Sequence, residues 1–263
     1  MKLELISRRP VSASHTTPLL FVHGAGAGAW CWDEHFLPYF ADRGFTAHAL
    51  SLRHHGESEN TGSLRRIRVS DYVDDVASVA AGFERPPAII GHSMGGFVAQ
   101  HYLARNAAPA AVLLASAPPT GVWRTTLKLA RRHPLAFLKA NATWSLYPFV
   151  ATPALARDAL FSPEMDPAAT QNYWRKLTDE SWLAYLDMLG LDLPDTAAVK
   201  TPLLVLGGAR DALFSPRDVE GMARAYGVEA EIFADVAHAM MLEARWRDVA
   251  ARIAGWLSAT LAG

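Results

Sequence analysis

The amino-acid sequence predicts an α/β fold, a mostly parallel sheet of about eight strands flanked by helices. Short apolar runs bounded by glycine and proline are typical of buried strands. Stretches with apolar residues at helical spacing lie between most of these runs, and such alternation favours right-handed crossovers and parallel strands. The chain has 263 residues, 51% of them hydrophobic, which is enough to bury a large core.

The predicted strands share a short apolar core and a turn residue close to one end. They cover residues 19–22, 46–52, 88–90, 111–115, 203–206 and 229–233. Helical spacing marks the residues from Val73 to Ala80, residues 97–103 and residues 219–226. Residues 2–16 are expected to add an antiparallel hairpin at one edge of the sheet.

Residues 118–194 break this alternation. No parallel strand is predicted there, and the segment holds eight of the 16 prolines and four of the eight tryptophans. Apolar spacing around Leu127 and again from Trp182 to Leu189 is helical, and proline divides the segment into short pieces. We therefore expect a core made of residues 1–117 and 196–263, with a helical subdomain at residues 118–195.

Composition narrows the class of protein. The chain has 25 Lys and Arg and 26 Asp and Glu, so neither nucleic acid nor an anionic membrane is expected as a partner. The short cluster of Arg65, Arg66 and Arg68 is interpreted as a solvated loop or helix start. Cys31 is the only cysteine, which fits a reducing compartment and excludes an intramolecular disulfide. No signal peptide is recognised, and no apolar run approaches the ~18 residues of a membrane helix. A cytoplasmic protein without membrane insertion is expected, of undetermined oligomeric state.

Ser93 is the candidate nucleophile. It lies in Gly91-His92-Ser93-Met94-Gly95, between a predicted strand and a predicted helix. A serine on such a tight turn is held in a strained conformation with its hydroxyl exposed, and its glycine neighbours are needed because a Cβ would clash. The N-terminus of the next helix favours a developing oxyanion. The alternative is a structural turn that happens to contain serine.

A nucleophilic serine needs a base, and the base needs an acid that orients it. His238 is the candidate base, because it is the only histidine after His133. Asp211 is the preferred acid, because it directly follows a predicted strand in the order serine, acid, histidine. Asp235 and Asp218 compete with it, and Asp211 could instead be a turn or N-cap residue.

The oxyanion hole requires two backbone N–H donors. We expect one from Met94, directly after the nucleophile, and one from Ala25 in the glycine-rich loop after the first apolar strand. The small neighbours of Ala25 allow a substrate oxygen to approach its amide closely.

The same loop partly matches a dinucleotide-binding fingerprint through Gly24, Gly26 and Ala29. The acidic residue expected about 20 positions later is missing, although Arg53 could meet a 2′-phosphate. An NADP-dependent reductase therefore stays as a minor alternative. No metal site is expected, because adjacent histidines such as His54 and His55 rarely ligate one metal. His23 and His92 are interpreted as loop-supporting residues.

At these motifs the sequence resembles the α/β-hydrolase superfamily. The resemblance rests on residues 21–24, 52–58, 91–96, 208–211 and 237–238, in the expected order. Residues 23–32 and 237–243 are particularly similar to the plant methylesterase and hydroxynitrile-lyase branch and to related bacterial esterases. The resemblance implies a Ser-His-Asp triad, an oxyanion hole at Ala25 and Met94, and a helical lid between strands six and seven that matches residues 118–195.

Two departures from the lyases of this branch bear on activity. Those lyases carry Thr at the position of Ala25 and Lys at the position of Ala239, so cyanohydrin cleavage is disfavoured and ester hydrolysis is expected. Ser93 also disfavours relatives that use an aspartate nucleophile. Lactone opening, C–C bond hydrolysis and perhydrolysis on the same triad stay open, as does a non-catalytic receptor that binds a small ligand.

The expected substrate is a small ester with an apolar acyl or alcohol group. Aromatic and methionine side chains of the insertion and of the loop after His238 are candidates for the pocket, since ligand pockets are mostly apolar. The candidate substrate-binding residues are Trp123, Trp144, Trp182, Met188 and Met240, with Met241 beside them. No cofactor is expected.

Overall fold

The computed structural model describes residues 1–262. Within these residues a single sheet contains seven strands, which are β1 (Glu4–Arg8), β2 (Leu19–Val22), β3 (Ala47–Ser51), β4 (Ala88–His92), β5 (Ala111–Leu114), β6 (Leu203–Gly208) and β7 (Ala230–Phe233). The helices outside the insertion are α1 (Trp30–Asp33), α2 (Phe36–Ala41), α3 (Val69–Ala80), α4 (Met94–Leu103), α10 (Pro216–Ala225) and α11 (Trp246–Leu261). Those of the insertion are α5 (Trp123–Arg132), α6 (Pro134–Thr143), α7 (Pro153–Leu160), α8 (Pro167–Trp174) and α9 (Trp182–Leu186).

The strand order is β1-β3-β2-β4-β5-β6-β7, and β1 alone among these strands runs antiparallel to its neighbour. The predicted α/β class and all six predicted internal strands are confirmed. The predicted edge hairpin is wrong, because β1 pairs with β3 and residues 9–16 form no second strand. Ser14 and His15 instead donate their amides to the Gly44 carbonyl, and the His15 ring stacks on Phe45 with centroids 3.7 Å apart.

Each face of the sheet carries a core of its own, as expected when the strands are buried on both sides. Phe21 packs with Trp32, Phe36 and Ile253 on the face covered by α1, α2 and α11. The opposite face packs against α3, α4 and α10, and its fully buried side chains include Tyr72, Phe97, Val205 and Val219. The sheet is therefore held from both sides, which gives the loops at its carboxyl ends a rigid base.

The five helices α5 to α9 lie within residues 118–195, where the sequence predicts a helical insertion. The insertion follows the fifth strand and not the sixth, because the sheet within residues 1–262 has seven strands and not about eight. Leu160 accepts a hydrogen bond from the Ala239 amide, and Thr178 donates both its amide and its hydroxyl to the Gly26 carbonyl. Arg68, at the start of α3, pairs with the buried carboxylate of Asp187. The insertion is thus attached to loops that follow β2 and β7 and to the start of α3.

Candidate active site

The site lies where the strand order reverses. The chain leaves β2 for β3 on one side and later returns to place β4 on the other side of β2. In open parallel sheets, ligands bind at the carboxyl ends of strands beside such a reversal. The loops after β2 and β4 meet at this point, and they contain Ala25 and Ser93.

Ser93 forms the turn between β4 and α4. Its backbone has φ 52° and ψ −120°, a conformation that a residue with a side chain rarely adopts. The turn is tightly packed, since a Cβ on Gly91 would lie 2.5 Å from the Gly95 carbonyl oxygen and one on Gly95 would lie 2.3 Å from that of His23. Glycine at both positions therefore allows a turn that leaves the Ser93 side chain on the wall of a cavity.

His238 and Asp211 are hydrogen-bonded to each other. Nδ1 of His238 lies 2.9 Å from Oδ2 of Asp211, and both side chains are buried. A carboxylate can only accept, so Nδ1 carries the proton and Nε2 is left as the basic nitrogen. The second carboxylate oxygen, Oδ1, accepts the amides of Leu213 and Phe214, which fixes the Asp211 side chain.

The two competing acids lie elsewhere. Asp235 is half exposed and pairs with Arg210, while Asp218 bonds to Ser215 at the start of α10. The structure thus brings Ser93 and His238 to one cavity, with Asp211 behind His238.

His92 supports the loop that holds His238. Its Nε2 donates to the His238 carbonyl oxygen at 2.9 Å, and the two rings lie 4.8 Å apart. Burial, followed by the effects of His238 and His23, lowers the pKa of His92 well below its ordinary value. His92 is therefore neutral, its Nδ1 is unprotonated, and it lies on the cavity wall without a hydrogen-bond partner among residues 1–262.

The two amides predicted for an oxyanion hole both line the cavity. The N–H groups of Ala25 and Met94 have no acceptor among residues 1–262, whereas those of Gly26 and Ala27 are bonded. Met94 begins α4, whose N-terminal dipole also favours negative charge. Two free amides and a helix N-terminus next to Ser93 are suited to binding an oxyanion.

A buried carboxylate of the insertion holds the glycine-rich loop. Glu180 Oε2 accepts the Gly26 amide at 3.0 Å and lies 3.1 Å from Nε2 of His55, while Oε1 accepts the Tyr72 hydroxyl at 2.6 Å. Burial alone would raise the pKa of Glu180, but His55 and these hydrogen bonds lower it to about 2. Burial would likewise lower the pKa of His55, but Glu180 raises it. Nδ1 of His55 donates to the Arg53 carbonyl while Nε2 faces the Glu180 carboxylate, and this arrangement favours a protonated ring and an ionic pair.

The cavity itself is apolar and has a volume of about 200 Å³. Among residues 1–262, its wall includes no Lys, Arg or Asp, and its single carboxylate is the paired Glu180. Its larger side chains come from the loops around the sheet and from the insertion, and they include Trp30, Val122, Leu129, Leu146, Phe149, Leu160, Phe161, Tyr185, Met188, Phe214, Met241 and Leu242.

Of the five predicted substrate-binding residues, Met188 lines this cavity and the other four do not. Trp123 and Trp144 are more than half exposed, because they lie on the outer side of α5 and at the end of α6. Trp182 is buried but packs on Tyr185 at the start of α9. Met240 is fully buried in the core beneath the site, and the adjacent Met241 faces the cavity in its place.

The structure gives no support to the dinucleotide alternative. Arg53, the residue that could meet a 2′-phosphate, is paired with Asp71 at 3.0 Å and Asp75 at 2.6 Å. The glycine-rich loop is also covered by the insertion, since a Cβ on Gly26 would lie 2.6 Å from the Thr178 carbonyl oxygen. Cys31 lines the cavity, but burial raises the pKa of its thiol, which stays protonated.

Residues 19–252 match the model of the alpha/beta hydrolase family. The match covers most of the chain, including strands β2 to β7, Ser93 and the Asp211–His238 pair. The chain belongs to the α/β-hydrolase family. The predicted resemblance is thereby confirmed at the level of the family.

Three named proteins are similar to part of the chain. Protein phosphatase methylesterase 1 of Rattus norvegicus is 35% identical over 101 residues, which are 37% of this chain and 26% of the relative. Pyrethroid hydrolase of Sphingobium wenxiniae is 31% identical over 90 residues, 33% and 31% of the two chains. Non-heme haloperoxidase of Rhodococcus erythropolis is 33% identical over 106 residues, which are 39% of this chain and 38% of the relative. The chain thus matches well under half the length of these relatives.

Solved structures resemble the whole fold. A protein assigned as a non-heme bromoperoxidase from Mycobacterium tuberculosis superposes with a TM-score of 0.79 and 19% identity, over 99% of this chain and 97% of that one. An esterase from Thermogutta terrifontis superposes with a TM-score of 0.69 and 20% identity, over 98% of this chain and 94% of that one. The enol-lactonase from Burkholderia xenovorans superposes with a TM-score of 0.70 and 19% identity, over 97% of each chain. At these identities the likeness establishes the fold alone.

Two features of the site were missed by sequence reasoning. Glu180 was not considered, because no local motif surrounds it in the insertion. The sequence excludes His55 as a metal ligand but gives no sign of its partner, because its pairing with Glu180 joins residues 125 positions apart.

Proposed function

We propose that this chain is a serine hydrolase that cleaves a small carboxylic ester with an apolar acyl or alcohol group. The observation that carries the proposal is the joint position of Ser93 and His238 on one apolar cavity, with Asp211 bonded to the far side of the imidazole. Membership in the α/β-hydrolase family supports the reaction class. The similar methylesterase and pyrethroid hydrolase also support ester hydrolysis.

Acylation begins at Ser93. Nε2 of His238 takes the hydroxyl proton as Oγ attacks the ester carbonyl, while Asp211 stabilises the imidazolium that forms. The carbonyl oxygen becomes an oxyanion that accepts the Ala25 and Met94 amides. Collapse of the tetrahedral intermediate breaks the ester C–O bond, and His238 returns the proton to the departing alcohol.

Deacylation repeats these steps with water. His238 removes a proton from water, the hydroxide attacks the acyl-enzyme, and the second intermediate releases the carboxylic acid and restores the Ser93 hydroxyl. Every proton is carried by His238, so this reaction needs no metal or organic cofactor.

The wall of the cavity supports an uncharged, apolar substrate. Glu180, its one carboxylate, is neutralised by His55 and committed to the Gly26 amide, so it offers no free charge to a ligand. Residues 118–195 contribute much of this wall, including Leu129, Phe149 and Met188. We therefore propose that this segment acts as a lid subdomain over the core of residues 1–117 and 196–263.

A fluorophosphonate probe tests the nucleophile. Native protein should be labelled at Ser93, as located by mass spectrometry, and the Ser93→Ala variant should not be labelled. Absence of labelling in the native protein would contradict the hydrolase proposal and favour a non-catalytic receptor that binds a small ligand in the same cavity.

A substrate panel tests the chemistry. We expect turnover of p-nitrophenyl esters of increasing chain length to exceed turnover of lactones and of a diketone. Perhydrolysis is the second candidate, because a non-heme haloperoxidase is among the similar proteins. Peracid formation from acetate and hydrogen peroxide at a rate above that of ester hydrolysis would favour it.

A further inference from the structure

The outer side of the helical hairpin α5–α6 presents large apolar side chains to solvent. Leu135 is 81% exposed, Leu138 64% and Trp144 58%, and Trp123 and Leu127 on α5 are exposed as well. So many exposed leucines and tryptophans on two adjoining helices are uncommon on a protein surface without a partner. We call these side chains, together with Arg124, Lys128, Arg131 and Lys139, the basic apolar face.

Basic residues alternate with the apolar ones across this face. On α5 the exposed positions are 123, 124, 127, 128, 131 and 132, which repeat at the spacing of one helix face. Among residues 1–262, Arg124, Lys128, Arg131 and Lys139 form no ion pair. Arg132 differs, because it pairs with Asp158.

The surrounding sequence is free of acidic residues. Residues 118–157 contain six Lys and Arg but no Asp or Glu, in a chain whose net charge is −1. The balanced total therefore conceals a strong local excess of positive charge. Composition alone gave no reason to expect an anionic membrane as a partner, and the structure changes that expectation by collecting these charges on one face.

We propose that the basic apolar face docks on the surface of a bilayer that contains anionic phospholipids. Helices that lie in a membrane interface combine Lys and Arg with Trp and Leu, so that the apolar groups enter the acyl boundary while the cations meet headgroup phosphates. Trp123 and Trp144 are suited to the interface, where an apolar ring and a polar N–H are both accommodated. No helix in the described part of the chain has the length and hydropathy to cross a bilayer, so the docking is peripheral.

The composition of the face favours lipid over other anionic or apolar partners. Exposed Leu135 and Leu138 have nothing to bind on a nucleic-acid backbone, whose recognition depends on cations and polar groups. A symmetric contact with a second copy of the chain would place the same basic residues of the two copies against each other. An anionic bilayer satisfies both the charges and the leucines.

Docking has a consequence for the cavity. The opposite side of α5 carries Thr125, Thr126 and Leu129, which line the cavity, so one helix has its outer side on the proposed lipid surface and its inner side on the site. A docked protein would hold this wall of the cavity next to the bilayer. The docking surface is itself independent of the proposed ester hydrolysis.

Vesicle co-sedimentation tests the proposal, with the full chain carrying Ser93→Ala so that no lipid is hydrolysed. Binding is measured on vesicles of phosphatidylcholine with and without phosphatidylglycerol. We expect binding to the anionic vesicles, which Lys128→Glu with Arg131→Glu weakens at least about 25-fold, or about fivefold for each charge. The matched control is Arg217→Glu with Arg224→Glu, which makes the same change in net charge on exposed residues of α10 and should bind like the parent.

A second pair of variants tests the apolar part. Leu135→Gln with Leu138→Gln should weaken binding about tenfold or more, whereas Leu5→Gln with Val11→Gln, at exposed positions in and after the edge strand β1, should not. Thermal unfolding checks that all variants fold.

Equal binding to neutral and anionic vesicles, no binding to either, or equal losses in the controls would overturn the proposal. So would binding of duplex DNA in place of vesicles, or a dimer in sedimentation velocity that Leu135→Gln dissociates.

Discussion

The carboxylate of Glu180, from the helical insertion, lies 3.1 Å from the imidazole of His55, from the loop after β3, and both side chains are buried. The same carboxylate accepts the amide of Gly26, the residue next to Ala25. One ion pair thus ties the insertion, the loop after β3 and the proposed oxyanion loop together. The position of the Ala25 amide therefore depends on a residue far from the triad.

The first prediction is that Glu180→Gln lowers both stability and activity. A single neutral substitution leaves a buried His55 without its anion, which should lower the free energy of unfolding by about 3–5 kcal/mol. The Gly26 amide also loses a charged acceptor, so kcat should fall about 10- to 100-fold while KM changes less. Urea denaturation and steady-state kinetics on a p-nitrophenyl ester measure the two effects.

The matched control replaces both partners. Glu180→Gln combined with His55→Gln removes the uncompensated charge, so it should be more stable than Glu180→Gln alone. A Glu180→Gln variant as stable as the native protein would contradict the assignment of an ionic pair.

The second prediction concerns the pH dependence of stability. The pKa of Glu180 is about 2 in the folded chain against an ordinary value of 4.5, so between these pH values the unfolded chain binds one more proton. Stability should therefore fall as pH decreases, with a contribution of up to about 1.4 kcal/mol per pH unit. The pKa of His55 is raised above 6.5, so stability should also fall as pH increases above that value.

The Glu180–His55 pair accordingly contributes most to the free energy of unfolding between pH 4.5 and 6.5. Urea unfolding of the native protein and of Glu180→Gln across pH 3–8 measures the difference directly. The difference between the two free energies of unfolding should be largest in the central window and shrink at both ends. A difference that is constant with pH would show that neither group changes its protonation on folding.

Local patterns and chain order predicted the parts of the site that follow from the strands. The glycines around Ser93 predict its tight turn. The order serine, acid, histidine favours Asp211, which is hydrogen-bonded to His238 in the structure. The residues that line the cavity could not be predicted from local patterns or chain order. Trp123 and Leu129 lie on one short helix, yet one faces solvent and the other the cavity, because helix packing decides which side is covered.

The third prediction is that Ser93→Ala or His238→Ala lowers kcat by about 10⁴- to 10⁶-fold, since each removes a group that the proposed acylation requires. The double variant should be little worse than either single variant, because the two residues act as one unit. Single-turnover measurements with an activated ester provide the necessary sensitivity. Additive losses in the double variant would show that the residues act separately.

The fourth prediction separates Asp211 from Asp235, one of its two competitors for the role of the acid. Asp211→Asn should lower kcat about 10⁴-fold, because its Oδ1 can still accept the Leu213 and Phe214 amides while its NH₂ group faces His238 Nδ1 and stabilises the wrong tautomer. Asp235→Asn is the control, because Asp235 pairs with Arg210 at the surface, and it should keep native activity. Native activity in Asp211→Asn would mean that another residue orients the base.

The fifth prediction tests whether Met188 limits the length of the substrate. Met188→Ala enlarges the cavity, so the ratio of kcat/KM for a longer p-nitrophenyl ester to that for a shorter one should rise about tenfold or more. Met222→Ala is the matched control, since Met222 is also buried but lies on α10 in the core beside the sheet and does not line the cavity.

Both of these variants should lose about 2–5 kcal/mol of stability, because each deletes a buried side chain. The ratio between two esters is independent of the fraction of folded enzyme, so it isolates the effect on the cavity from the effect on folding. Only Met188→Ala should change that ratio. An equal change in Met222→Ala would mean that the preference for chain length reflects a general loosening of the core, and the cavity beside Ser93 would no longer explain which esters the protein accepts.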